Sequence, residues 1–167
     1  TKWEMRPVPD NVATALGANL FYTRLAGHGQ DGPAMAEASL SAWTRDMAEA
    51  MAIGERIGER VIIIGNSTGA TLGTWAASKP EMAQRIAALV MMSPNYAIQG
   101  ASTGLLNMPW ADKLLPLVFG RERSFEPVNE QQAKWWTTSY PSIAVFPMGA
   151  LLQTVSENAQ RVWKRQP

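Results

Sequence analysis

Val61-Ile62-Ile63-Ile64 runs directly into Gly65-Asn66-Ser67-Thr68-Gly69, and Ala70 to Ser78 follows with helical character. Four consecutive β-branched residues predict a strand that is apolar on both faces, as in a parallel sheet covered from both sides. The pentapeptide after it has the form G-x-S-x-G, set where a strand must turn sharply into a helix. Three fixed residues in five recur by chance, so the strand before and the helix after carry the argument. Glycines at both flanks leave room for a strained turn and for neighbouring chains. A serine hydroxyl is ordinarily a weak nucleophile. Exposed on such a turn, beside backbone N–H groups at a helix start, it is placed to attack a carbonyl and to have the resulting oxyanion held. Ser67 is therefore the candidate nucleophile.

The rest of the chain supplies an α/β context. Pro9-Asp10 opens a helical pattern through Val12, Ala13 and Leu16, with Gly17 suited to the left-handed cap that ends it. Asn19 to Thr23 reads as a strand. Apolar residues at Leu40, Trp43, Met47, Ala50, Met51 and Ile57 mark one face of a helix, with Ser39 or Ser41 as N-cap and Gly58 as terminator. Lys79-Pro80 stops the helix after Ser67, and Ala87 to Met92 predicts a second strand buried on both faces. Helices alternating with strands in this way predict a parallel sheet with helices on both faces.

After Ser93-Pro94-Asn95 the character changes. Residues 96–167 carry prolines at 109, 116, 127, 141, 147 and 167 and broken helical patterns at Trp110 to Phe119 and Ile143 to Val155, with no clear strand among them. The expected division is a core segment over 1–95 and a helical cap or lid segment over 96–167. In open α/β folds the C-terminal edge of the sheet is where ligands bind, and the cap would lie there. An aromatic or Met stripe at helical spacing is more often packing than a substrate wall.

Composition excludes several function classes. A net charge of +1 with scattered Lys and Arg gives no clustered basic face for nucleic acid. Zero cysteines exclude disulfides, thiolate metal sites and a cysteine nucleophile. No apolar run approaches the roughly 18 residues of a membrane span. Neither a metal nor an organic cofactor is implied: Cys/His clusters are absent, and serine acyl chemistry needs neither. Gly27-His28-Gly29-Gln30-Asp31-Gly32 matches the dinucleotide fingerprint G-x-G-x-x-G literally. It lacks the acid at the end of the next strand, which reads Gly65-Asn66, and Pro33 interrupts the helix that should follow. Gly65 to Gly69 is no phosphate-binding P-loop either, since no Gly-Lys-Ser/Thr follows.

Arg24-Leu25-Ala26-Gly27-His28-Gly29, then Val61 to Gly69, then Leu89 to Pro94 together resemble the α/β-hydrolase family, and the resemblance covers nearly the whole chain. Within it the pattern looks most like the carboxylesterase and monoacylglycerol-lipase-like enzymes that carry a helical cap. The resemblance implies a partial α/β-hydrolase fold with Ser67 as nucleophile and the Thr68 backbone N–H as one oxyanion donor. It also implies a small-molecule ester as substrate, with the cap's Trp, Met, Leu and Phe favouring an apolar acyl group.

The family pattern also requires, after the serine, an acid and then a histidine. His28, the single histidine, precedes Ser67 and is expected to be a buried, hydrogen-bonded structural residue. Where some members carry the acid, this chain has Asn95, which cannot hold an imidazolium by charge. Asp112, Glu122 and Glu126 read as solvated surface carboxylates. The expectation is a central piece of a longer hydrolase. One strand, preceding Thr1 in the chain, would lie in the sheet between the strands at 19–23 and 61–64, and the acid and histidine would follow Pro167. The competing expectation is a hydrolase-fold binding or interaction module without a base.

Overall fold

The computed structural model describes residues 2–97, 106 and 108–163. Two helices open the chain, α1 (Lys2–Met5) and α2 (Val8–Leu16). Gly17 ends α2 as predicted: at φ 60° it takes the left-handed conformation, and the N–H groups of Gly17 and Ala18 return to Thr14 and Ala13.

The predicted strand at Asn19 to Thr23 is not formed. A strand exists only through ladder bonds to a neighbour, and no described segment pairs with this one. Side chains anchor the stretch instead. The Tyr22 hydroxyl donates to the Asp10 carboxylate at 2.5 Å, Arg6 closes on the same carboxylate at 3.1 Å, and Asn19 donates to the Ile57 carbonyl at 2.6 Å. Partial burial and the Asp10 carboxylate push the Tyr22 hydroxyl up to about 12.

A 3₁₀ turn (Pro33–Glu37) leads to α3 (Leu40–Ile57), where the predicted apolar face is buried through Trp43, Met47 and Met51. Ser39 caps it, accepting from the Ala42 N–H at 3.1 Å. Next come β1 (Val61–Asn66), the crossover helices α4 (Thr68–Ala77) and α5 (Pro80–Ala83), and β2 (Ile86–Met92). The two strands are parallel, with Ile62 opposite Ala88 and Asn66 opposite Met92. They are not buried on both faces as their composition predicts, since Ile62, Val90 and Met91 are 39–44% exposed. Among the described residues each strand has one neighbour, which leaves an open edge at both sides of the pair.

The remaining elements are α6 (Ala111–Phe119), β3 (Glu122–Ser124), α7 (Glu130–Trp135), β4 (Ser139–Pro141), a 3₁₀ turn (Ser142–Val145) and α8 (Phe146–Trp163). The antiparallel β3–β4 pair departs from the expected strand-free region; at three residues each, these strands are too short to show an alternating pattern. The ring of Trp3 stacks on Trp135 at 5.0 Å between centroids, tying α1 to α7. One hydrophobic core joins Trp43, Met47 and Met51 of α3, Leu72 and Ala76 of α4, and Met148, Leu151, Leu152 and Val155 of α8. The last helix thus packs on the same core as the helix that follows Ser67.

Candidate active site

Ser67 is built by the join of β1 and α4. Its backbone sits at φ 51°, ψ −118°, outside the regions an L-residue occupies at ease, which costs on the order of 1–3 kcal/mol. Hydrogen bonds on both sides hold it there. The Ser67 N–H donates to the Met92 carbonyl at 2.9 Å, fastening the turn to the end of β2. The Ser67 carbonyl accepts from the Ala70 and Thr71 N–H groups at 3.1 and 3.2 Å and from the Thr71 hydroxyl at 3.3 Å. Gly65 makes the turn sterically feasible: a Cβ there would stand 2.6 Å from the Ala70 nitrogen and from the Gly69 carbonyl. Gly69 meets no such obstacle, since a Cβ on it would have nothing within 4 Å.

The register of β1 on β2 brings Ser93 to Asn95 alongside the turn. Asn95 donates from Nδ2 to the Ser67 hydroxyl oxygen at 2.8 Å, and its own carbonyl accepts from the Thr71 hydroxyl at 2.8 Å. Sequence reasoning considered Asn95 only as an acid's replacement and did not consider Thr71, because both contacts depend on strand register. The Thr68 N–H, at the first turn of α4, donates to no described residue. Ser67, Thr68 and Asn95 line a cavity of about 810 Å³ whose wall also includes Phe21, Trp136 and Met148.

His28 shares that cavity wall but is held elsewhere. Its Nδ1 lies 3.2 Å from the Ala26 carbonyl, and its ring meets Trp43 edge-on at 5.6 Å. Ala26 is itself clamped to α3, its N–H donating to Asp46 at 2.7 Å and its carbonyl accepting from the Trp43 indole at 2.9 Å. Burial holds the His28 imidazole below its ordinary range, with the Ala26 carbonyl acting the other way. Among the described residues the hydrogen-bond partner of the Ser67 hydroxyl is Asn95, not an imidazole. Asp112, Glu122 and Glu126 are exposed.

A profile described as the Alpha/beta hydrolase family matches residues 2–166. The chain belongs to the alpha/beta hydrolase family. Its fold is similar to a solved structure reported under LipS and LipT, two metagenome-derived lipolytic enzymes, with a TM-score of 0.59 at 22% identity. The likeness covers 90% of this chain and 60% of that one, so this hydrolase-family chain spans well under the length of the structure it matches. Among curated proteins no match was found.

The dinucleotide reading of Gly27 to Gly32 finds no support in this fold. Among the described residues no strand precedes the glycines, and a five-residue 3₁₀ turn follows in place of a helix whose N-terminus could receive a pyrophosphate. Among the described residues no group of three or more His, Cys, Asp or Glu is arranged to hold a metal ion. No described helix is long and apolar enough to cross a membrane.

Proposed function

We propose that Ser67 is the nucleophile of a serine hydrolase that cleaves carboxylic esters with an apolar acyl group. The observation that carries this reading is the strained Ser67 backbone, which sets the hydroxyl at the wall of a large cavity. In the proposed reaction the Ser67 hydroxyl oxygen attacks the ester carbonyl carbon and its proton passes to a base. The Thr68 N–H, left without a partner among the described residues, holds the tetrahedral oxyanion. Collapse expels the alcohol, which takes up the proton, and leaves an acyl-serine; water then releases the carboxylic acid and restores the hydroxyl. Phe21, Trp136 and Met148 supply apolar wall for the acyl chain. Neither the base nor the acid that orients it is among the groups that the described residues bring to the Ser67 hydroxyl, whose partner is the Asn95 amide.

One observation favours a second reading. Among the described residues no imidazole hydrogen-bonds the Ser67 hydroxyl, as in a hydrolase-fold module that binds without reacting. A fluorophosphonate probe applied to the full-length protein separates the two. The expected result is a covalent adduct on Ser67, with labelling and ester turnover both lost in Ser67→Ala. Loss of a nucleophile removes several factors of ten, each about 1.4 kcal/mol of transition-state stabilisation. An adduct elsewhere rejects Ser67 as the nucleophile, and ester binding without any adduct rejects the serine hydrolase.

A further inference from the structure

We infer that Asn95 is a catalytic residue of the Ser67 site, its side-chain amide donating a hydrogen bond to the attacking oxygen through both halves of the reaction. The inference rests on Ser67 being the nucleophile. Its geometric basis is the 2.8 Å contact from Asn95 Nδ2 to the Ser67 oxygen, made at the wall of the cavity. The contact is built into the fold. Thr71, fully buried, directs its hydroxyl at both the Asn95 carbonyl, 2.8 Å away, and the Ser67 carbonyl, 3.3 Å away, so one side chain of α4 joins the backbones of the two residues.

The chemistry follows from the valences of the oxygen. A serine hydroxyl has one proton and two lone pairs. Donation from the amide occupies one lone pair and leaves the other for the carbonyl carbon. The proton stays free to leave toward a base. The amide nitrogen has no basic lone pair and the amide oxygen, though a hydrogen-bond acceptor, is far too weak a base to take this proton, so Asn95 does not replace the base. What it offers is a donor to an oxygen that becomes electron-rich as the proton departs. In the acyl-serine that oxygen is an ester oxygen and a poor acceptor. In deacylation water attacks, the tetrahedral intermediate collapses, and the serine oxygen leaves with the electron pair, again facing the amide.

The test compares second-order labelling by a fluorophosphonate in the full-length protein across pH 4 to 9, for the wild type, Asn95→Ala and Asn95→Asp, with melting temperature as the folding control. Asn95→Ala is expected to label about ten- to a hundredfold more slowly, the range for losing one hydrogen bond to a charged group. Asn95→Asp keeps the shape and exchanges the donor for a carboxylate, so it should be slower than Asn95→Ala at neutral pH. Relative to wild type it should recover as pH falls toward the carboxylate range near 4, where a protonated acid donates again. A residue that merely fills space would move the melting temperature and leave this pH-dependent ratio flat. A folded Asn95→Asp that labels as fast as wild type, or faster, across the range overturns the inference while leaving Ser67 as nucleophile. A wild type that does not label overturns both. Should either variant fail to fold, the side-chain amide resonance of Asn95 in Ser67→Ala decides: a clear shift from wild type supports the contact, and an unchanged resonance overturns it.

Discussion

At Gly65 a single added carbon would strike the backbone of Gly69 and Ala70 at 2.6 Å, and main chain cannot yield as the tip of a side chain can. Gly65→Ala should therefore cost more than about 2 kcal/mol, or prevent the turn from forming, whereas Gly69→Ala, with open space around it, should change stability by under about 1 kcal/mol. Urea midpoints of the two variants check this. The sequence alone treats the two glycines as equivalent flanks; their difference lies in the way the turn folds back on itself. His28 makes a separate prediction about pH. Burial lowers its folded pKa below the unfolded value near 6.5, so the unfolded chain binds the extra proton more readily. Its contribution is complete above about pH 6.5 and is lost as pH falls through the depressed folded value. His28→Gln should lower stability at pH 7.5 by about 1–2 kcal/mol through the lost Ala26 and Trp43 contacts, and should flatten this part of the acid dependence. Ser67 labelling in the folded variant should persist; its loss at an unchanged melting temperature would make His28 part of the reaction.

Among the elements, α8 carries the largest share of the core that lies far from Ser67 in sequence. Leu151 is wholly buried against α3 and α4, so Leu151→Ala should cost about 2–5 kcal/mol, while Leu117→Ala on α6, at 71% exposure, should fall within about 0.5 kcal/mol. Thermal or denaturant unfolding of the two variants tests the contrast. Much of the fold at this scale was legible. The helices at Val8–Leu16 and Leu40–Ile57 announce their faces and caps, and the β-branched run before Ser67 announces its strand. What was not legible depends on partners. Asn19 to Thr23 has the residues of a strand but, among the described residues, no neighbour to pair with, and the apolar spacing of α8 gives a buried face without saying what it meets. The site divides in the same way. Ser67 is visible in its own pentapeptide, while the Asn95 contact exists only because Asn66 stands opposite Met92.

At the scale of the whole molecule, the free edge of β1 and the unpaired stretch at 18–23 line the same cavity. Unpaired strand edges recruit other chains. The 167-residue chain by itself should show concentration-dependent association in sedimentation experiments, reduced by Ile62→Lys on β1; a chain that stays monomeric at high concentration, wild type and variant alike, rejects this account. The backbone of Ser67 also bears on the molecule as a whole. At an ordinary position, glycine makes a protein about 0.5–1 kcal/mol less stable than alanine, because the unfolded chain gains freedom. At φ 51°, ψ −118° the order should reverse, with Ser67→Gly unfolding at higher denaturant than Ser67→Ala although both lack the hydroxyl. Selection for a durable protein and selection for a reactive one would then favour different residues at this position, and serine stands where durability alone would install glycine.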